Sequence, residues 1–287
     1  MTRPTLLVCT LLLVGCGDRS APITGKVMLR YHPPTGAVYH YAVEQRNTVN
    51  MESGLLAGAG GGAQQLTTRL HFTQAITGPV AGGIQVRITF DSTHVEAPGM
   101  APDIVGRDVG RVPGLRSTML LDERQHIVRA GFDTVPGAQP PPALAYQLAA
   151  GVKAMSFTLP EEPVGPGDSW TIATELPIGE FPGVSGAGLS RTTLTVREFS
   201  VAGGDTTVLL AVATTFPADP IRLNFAGQPA TLHLSGSLSG DQLFSLTRGA
   251  VVRGAMKGTM RIKVTGGLLG GQGMTLSGAT ETTARLQ

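Results

Sequence analysis

Alternation with a period of two runs through most of this chain. Ile84, Val86, Ile88 and Phe90 alternate with Gln85, Arg87, Thr89 and Asp91, and Leu66, Leu70, Phe72 and Ile76 oppose Thr67, Arg69, His71 and Thr73. Successive strand side chains point to opposite faces, so this pattern predicts strands with one buried and one wet face. The same signature covers residues 38–42, 194–197, 206–215, 221–225, 232–234 and 274–286, while 119–128 reads as a strand pair broken near Asp122-Glu123. The longest run, 252–264, sets Val252, Met256, Met260, Ile262 and Val264 against Arg253, Lys257, Thr259, Arg261 and Lys263. Gly78-Pro79, Gly82-Gly83 and Gly203-Gly204 carry turn chemistry. Only 143–155 has helical spacing: Leu144, Leu148 and Val152 share a face behind Pro141-Pro142.

The expected fold is therefore all-β and mainly antiparallel, built as curved sheets or a partly open barrel, with one short helix over 143–155. Two weakly similar halves are suggested by Gly36-x-x-Tyr39 and Gly167-x-x-Trp170, each followed by a Gly-rich gap, a Thr-rich strand, a Gly turn and a Val/Ile/Thr strand. The expected division is 1–15 leader, 16–26 tether, 27–132 first half, 133–166 Pro-rich linker with the helix, and 167–287 second half. Whether the halves make two sheets or one is open at this level.

The amino terminus changes the picture most. Arg3 precedes an apolar run from Leu6 to Val14, and the run ends in Leu13-Val14-Gly15-Cys16. That run is too short to span a bilayer and has the length of a signal-peptide core. The ending resembles a bacterial lipoprotein signal. The resemblance implies cleavage before Cys16, a diacylglyceryl group on its sulfur and a palmitate-type acyl chain on the new amino terminus. Two or three chains anchor stably where one does not. Cys9 lies inside the leader, so the mature body carries no cysteine for a disulfide, a thiolate nucleophile or a zinc site. The full chain is 41% hydrophobic and 15% charged, enough to build a core, and its net charge of +2, to which Arg3 of the leader contributes, comes with no basic block suited to nucleic acid.

Constellations with possible chemistry read as structure. Gly167-Asp168-Ser169 and Asp91-x-x-His94 resemble two blocks of an esterase family, but in reversed order and without its strand–helix alternation; a tight turn leading Trp170 into a strand is the simpler reading. His32, His40, His71, His94, His126 and His233 have no ligand spacing, so no metal or cofactor is expected. Gly54–Ala63 and Gly266–Gly273 lack the Lys-Ser/Thr ending of a phosphate loop and read as hairpin connections. Glu161, Glu162 and Asp168 read as solvated loop acids, since one Trp and four Tyr leave little to stack on sugar. The stripe from Arg253 to Lys263 reads as a wet strand face or as a contact for anionic headgroups.

Leu159-Pro160-x-x-Pro163-Val164-x-x-Gly167-Asp168-Ser169-Trp170, together with Gly36-x-x-Tyr39-x-Tyr41, resembles a family of bacterial lipoproteins without an established activity. The resemblance spans roughly Val27 to the C-terminus; it implies architecture and location and supplies no catalytic residues. The expected function is a non-enzymatic cell-envelope lipoprotein. It would be anchored to the outer membrane or the periplasmic face of the inner membrane and bind lipid or another apolar ligand on a curved sheet. A structural or assembly lipoprotein is the alternative, and a hydrolase ranks last.

Overall fold

The computed structural model describes residues 21–23, 25–53, 63–98, 112–133, 157–176, 184–186, 188–216, 219–225, 227–266 and 273–287. The predicted helix over 143–155, the leader and Cys16 lie outside the described residues. The strands are β1 (Ala21–Pro22), β2 (Val38–Ser53), β3 (Gln64–Val80), β4 (Gly83–Glu96), β5 (Arg116–Leu121), β6 (Ile127–Phe132), β7 (Ser169–Glu175), β8 (Val184–Ser185), β9 (Leu189–Ala202), β10 (Asp205–Thr215), β11 (Ile221–Phe225), β12 (Gln228–Ser245), β13 (Ala250–Gly266) and β14 (Met274–Leu286). The all-β, antiparallel expectation holds.

These strands form one open sheet in the order β1-β9-β10-β12-β13-β14-β2-β3-β4-β5-β6. β7 lies against β9, and β11 pairs with both β12 and β8. The seam is β14 against β2, paired from Thr275↔Ser53 to Leu286↔Tyr41 with a register shift between Thr275 and Leu276. Strands before and after the Pro-rich segment thus belong to one continuous sheet. The stretches 69–90 and 191–212 lie in two hairpins, β3–β4 and β9–β10, on opposite sides of the seam.

The sheet curls because those two arms share a core. Phe72, Val86, Ile88 and Phe90 from one arm cluster with Leu194, Val196, Val208 and Leu210 from the other. Two extended segments fill the space between them, one bringing Leu29 and Tyr31 and the other Phe157, Leu159 and Val164. Their backbone polar groups are satisfied on entry: Val27 and Val164 exchange hydrogen bonds of 2.8 and 2.9 Å, Tyr31 N–H donates to Glu123 O, and Leu159 N–H donates to Arg124 O. Arg124 Nε donates back to Leu159 O at 2.9 Å, and Arg30 donates to Pro160 O at 3.0 Å. Tyr41 stacks on Phe72 at 5.0 Å between centroids, and Phe157 meets Phe244 edge-on at 5.4 Å.

Of the two glycine-bearing pairs read as turns between β3 and β4, Gly82-Gly83 marks the reversal and Gly78-Pro79 does not. β3 runs through Gly78-Pro79 to Val80, with a register shift between Ile76 and Gly78. Gly78 has φ 123°, so the bulge absorbs the extra residue and the reversal waits for Gly82. Pro79 is tolerated because β2 pairs with β3 only as far as Ala75, leaving that flank without a ladder.

Glycines on β12, β13 and β14 set the bend of the long strands. A Cβ at Gly258 would fall inside the van der Waals envelope of the Ser237 carbonyl, and one at Gly240 would do the same to Ala255. Neighbouring backbones therefore approach more closely there than any side chain allows.

Burial pushes the Tyr31 and Tyr41 hydroxyls well above the ordinary tyrosine range, and desolvation raises Tyr39 as well. Unfolded tyrosines ionise near about pH 10, so the folded state holds protons that the unfolded chain releases. Stability is fully present below that pH and is lost as pH rises through it. Among the described residues the Tyr31 hydroxyl makes no well-formed hydrogen bond, although Gln74 lies near it. Tyr31→Phe is therefore expected to leave the neutral-pH melting temperature unchanged or raised, and to weaken its decline above about pH 10. Thermal melts from neutral to alkaline pH check both.

Candidate functional site

Among the described residues, β12, β13, β14 and β2 continue past the shared core as a single layer. Cross-strand register there brings together residues far apart in sequence. Leu234 lies opposite Ile262, Ile262 opposite Leu276, and Leu276 opposite Met51. Directly paired residues project from the same face, so these four form one aliphatic row across four strands. It lies on the face that carries Tyr41, Val43, Met256 and Leu286 into the core, because the side-chain period is two. The row is half-buried. Beside it, Met260 is 36% and Val49 41% exposed. Leu234, Ile262 and Val264 also pack on a small second core of Ile221, Leu223, Ala230 and Leu232. The arrangement offers an apolar strip, rooted in packed residues at one end and open to solvent along its length.

The opposite face of the same strands is polar. Asn50, Ser277, Arg261 and Ser235 form a row directly behind the aliphatic one, and the next row is Thr48, Ala279 and Thr259. They line a shallow trough of about 410 Å³. Arg261 is ion-paired with Glu52, so the trough carries little net charge. The Arg253–Lys263 stripe lies on this face and is interleaved with acids: Lys257 is opposite Glu281, which is opposite Arg46. Arg69 ties Glu44 at 2.9 Å and Glu96 at 2.6 Å.

The other sequence candidates disperse. All six histidines are exposed. His71 Nδ1 lies 2.9 Å from Ser92 Oγ and His40 Nδ1 3.0 Å from Thr73 Oγ1, both on the open outer face. Among the described residues, no group of three His, Cys, Asp or Glu is placed to hold a metal. Gly167-Asp168-Ser169 is a turn: Gly167 has φ 89°, and Asp168 Oδ2 accepts from Gly165 N–H at 3.0 Å and from Lys26 Nζ at 3.0 Å. Trp170 enters β7 half-buried and donates through Nε1 to Thr158 O at 2.8 Å. Glu161 pairs with Arg124 at 2.6 Å, and Glu162 is exposed. Among the described residues no helix is long and apolar enough to cross a membrane. Most of both Gly-rich connections and all of the Cys16 region lie outside the described residues.

The aliphatic row escaped sequence reading because register between strands as distant as β2 and β14 leaves no local trace. Its members were visible singly, as the even positions of β13 and the odd positions of β2.

No protein-family model and no curated protein matches the chain. A solved structure described as lipid–protein interactions in lipovitellin has a similar fold, with a TM-score of 0.50 and 10% identity. The match covers 90% of this chain and 25% of that one, so this chain spans about a quarter of its length. At that identity the likeness concerns the fold.

Several surface carboxyls are held below the ordinary range: Glu44 and Glu96 by hydrogen bonds from Arg69, and Asp168 by the Gly165 amide and then Lys26. A carboxyl depressed on folding contributes stability above its unfolded pKa and loses it as pH falls. The melting temperature is therefore expected to hold down to about pH 5 and to fall below about pH 4. Arg69→Gln is expected to shrink that acid-side loss. An identical acid profile in the variant would show that Arg69 contributes nothing to it.

Proposed function

We propose that the protein is a non-enzymatic cell-envelope lipoprotein, anchored by lipid on Cys16, that binds an acyl-chain ligand on the inner face of its curved sheet. The Leu234–Ile262–Leu276–Met51 row carries this reading. Leu234 and Ile262 lean on the second core, yet the strip as a whole stays only half-buried, and a contiguous apolar strip of this kind marks a surface that something covers. The fold likeness to a protein studied for its interactions with lipid supports the same class of ligand. The charged start, apolar run and Leu-Val-Gly-Cys ending at residues 13–16 support the anchor.

Magnitudes favour a long chain. Each methylene removed from water contributes about 0.8 kcal/mol, so ten of them against the strip give about 8 kcal/mol and micromolar binding before ordering costs. Short acids are expected to bind about fourfold more weakly per methylene lost.

The test is a titration of the body with a fluorescent long-chain fatty acid. Wild type is expected to saturate. Ile262→Thr keeps a β-branched side chain and is expected to weaken binding about tenfold, as loss of apolar contact at the centre of the strip implies. Lys263→Gln, on the opposite face, should leave binding unchanged. No saturable binding, or equal loss in both variants, would contradict the reading. Separately, Cys16→Ser should move the protein from the membrane to the soluble fraction; persistent attachment would contradict the anchor.

A further inference from the structure

The register of β1 places Ala21 at one end of the molecule, opposite the end that carries the aliphatic row. Ala21 pairs with Val201 and Pro22 with Ser200, so Ala21 stands close to the Gly203-Gly204 turn. Cys16 precedes Ala21 by five residues, a reach of at most about 17 Å. That turn marks one end of the long strands, where Leu246 N–H donates to Thr206 O at 2.8 Å. From Leu246 back to Leu234 along β12 the chain runs twelve residues, roughly 40 Å at the rise of a strand.

We propose that the protein presents its acyl-chain strip away from the membrane that holds its anchor, and exchanges ligand with a second lipid surface. This rests on the function proposed above. The alternative is a body lying flat with its outer face on the bilayer. Glu44, Glu52, Glu96, Asp241 and Glu281 on that face oppose contact with anionic headgroups, because they offset its lysines and arginines.

The cysteine-free body allows a direct test in the lipidated protein. Single dyes are placed at Ala202→Cys, beside the turn, and at Lys263→Cys, beside the strip, both exposed positions. The protein is bound to phosphatidylethanolamine/phosphatidylglycerol vesicles carrying an acceptor dye. Energy transfer is expected to be several-fold stronger from position 202 than from position 263. Equal transfer, or stronger transfer from 263, overturns the orientation while leaving anchor and ligand intact. Failure to bind vesicles at all overturns the anchor, and this inference with it. In the same preparation, a bound fluorescent fatty acid should pass to acceptor vesicles at a rate that rises with their concentration. A rate independent of acceptor concentration means release through water and overturns exchange with a second surface.

Discussion

Everything in this molecule hangs on the pairing of β14 with β2. Among the described strands it joins the arm built from β2 to β6 to the one built from β7 to β14, while the two-residue β1 reaches β9 separately. With it, the two hairpins β3–β4 and β9–β10 become arms of one sheet and can close on a shared core. Without it, each arm would expose its apolar face, and the segments carrying Tyr31 and Leu159 would have one wall instead of two. The aliphatic row depends on the same seam, since Leu276 reaches Met51 only across it.

The seam also explains why the sheet is filled at one end and open at the other. Near the turns that bring in residues 27–33 and 157–164, side chains from both arms meet and exclude water. Among the described residues the strands then continue past that shared core, with the second core around Ile221 and Leu232 packed against one end of them. A sheet that outruns its core has two wet faces. Ser, Thr and ion-paired charges on the outer face suit water; Leu, Ile and Met on the inner face do not. The second core around Ile221 and Leu232 covers one end of that inner face and leaves the strip between. Glycines such as Gly258 let neighbouring backbones approach closely and so set the bend along which a flexible chain would lie.

Much of this was legible in the sequence. The period-two pattern located part of most strands, β14 at its full extent and the buried parity of β4 at Val86, Ile88 and Phe90, but it marked only 38–42 of β2 and 232–234 of β12 and missed β1 and β8. Gly167-Asp168 read correctly as a turn because its carboxylate and glycine act within a few residues. The shift of the β3–β4 reversal past Gly78 was not legible, because a bulge needs a partner strand to define it. The strip was invisible for a larger version of the same reason. Which apolar residue of β2 lies beside which of β14 is decided by long-range register, and single-strand alternation is silent on register. The two extended segments that fill the core have no periodicity, so nothing local marked Leu29, Tyr31 or Leu159 as its most buried members.

The most direct test of the central claim is native mass spectrometry, with solvent extraction, of the soluble body beginning after Cys16 and produced in a bacterial periplasm. The account predicts a co-purified long-chain lipid in stoichiometric amount, reduced in a variant with Ile262→Thr. A protein that is empty in both forms, and that takes up no fatty acid when offered it, would contradict the account.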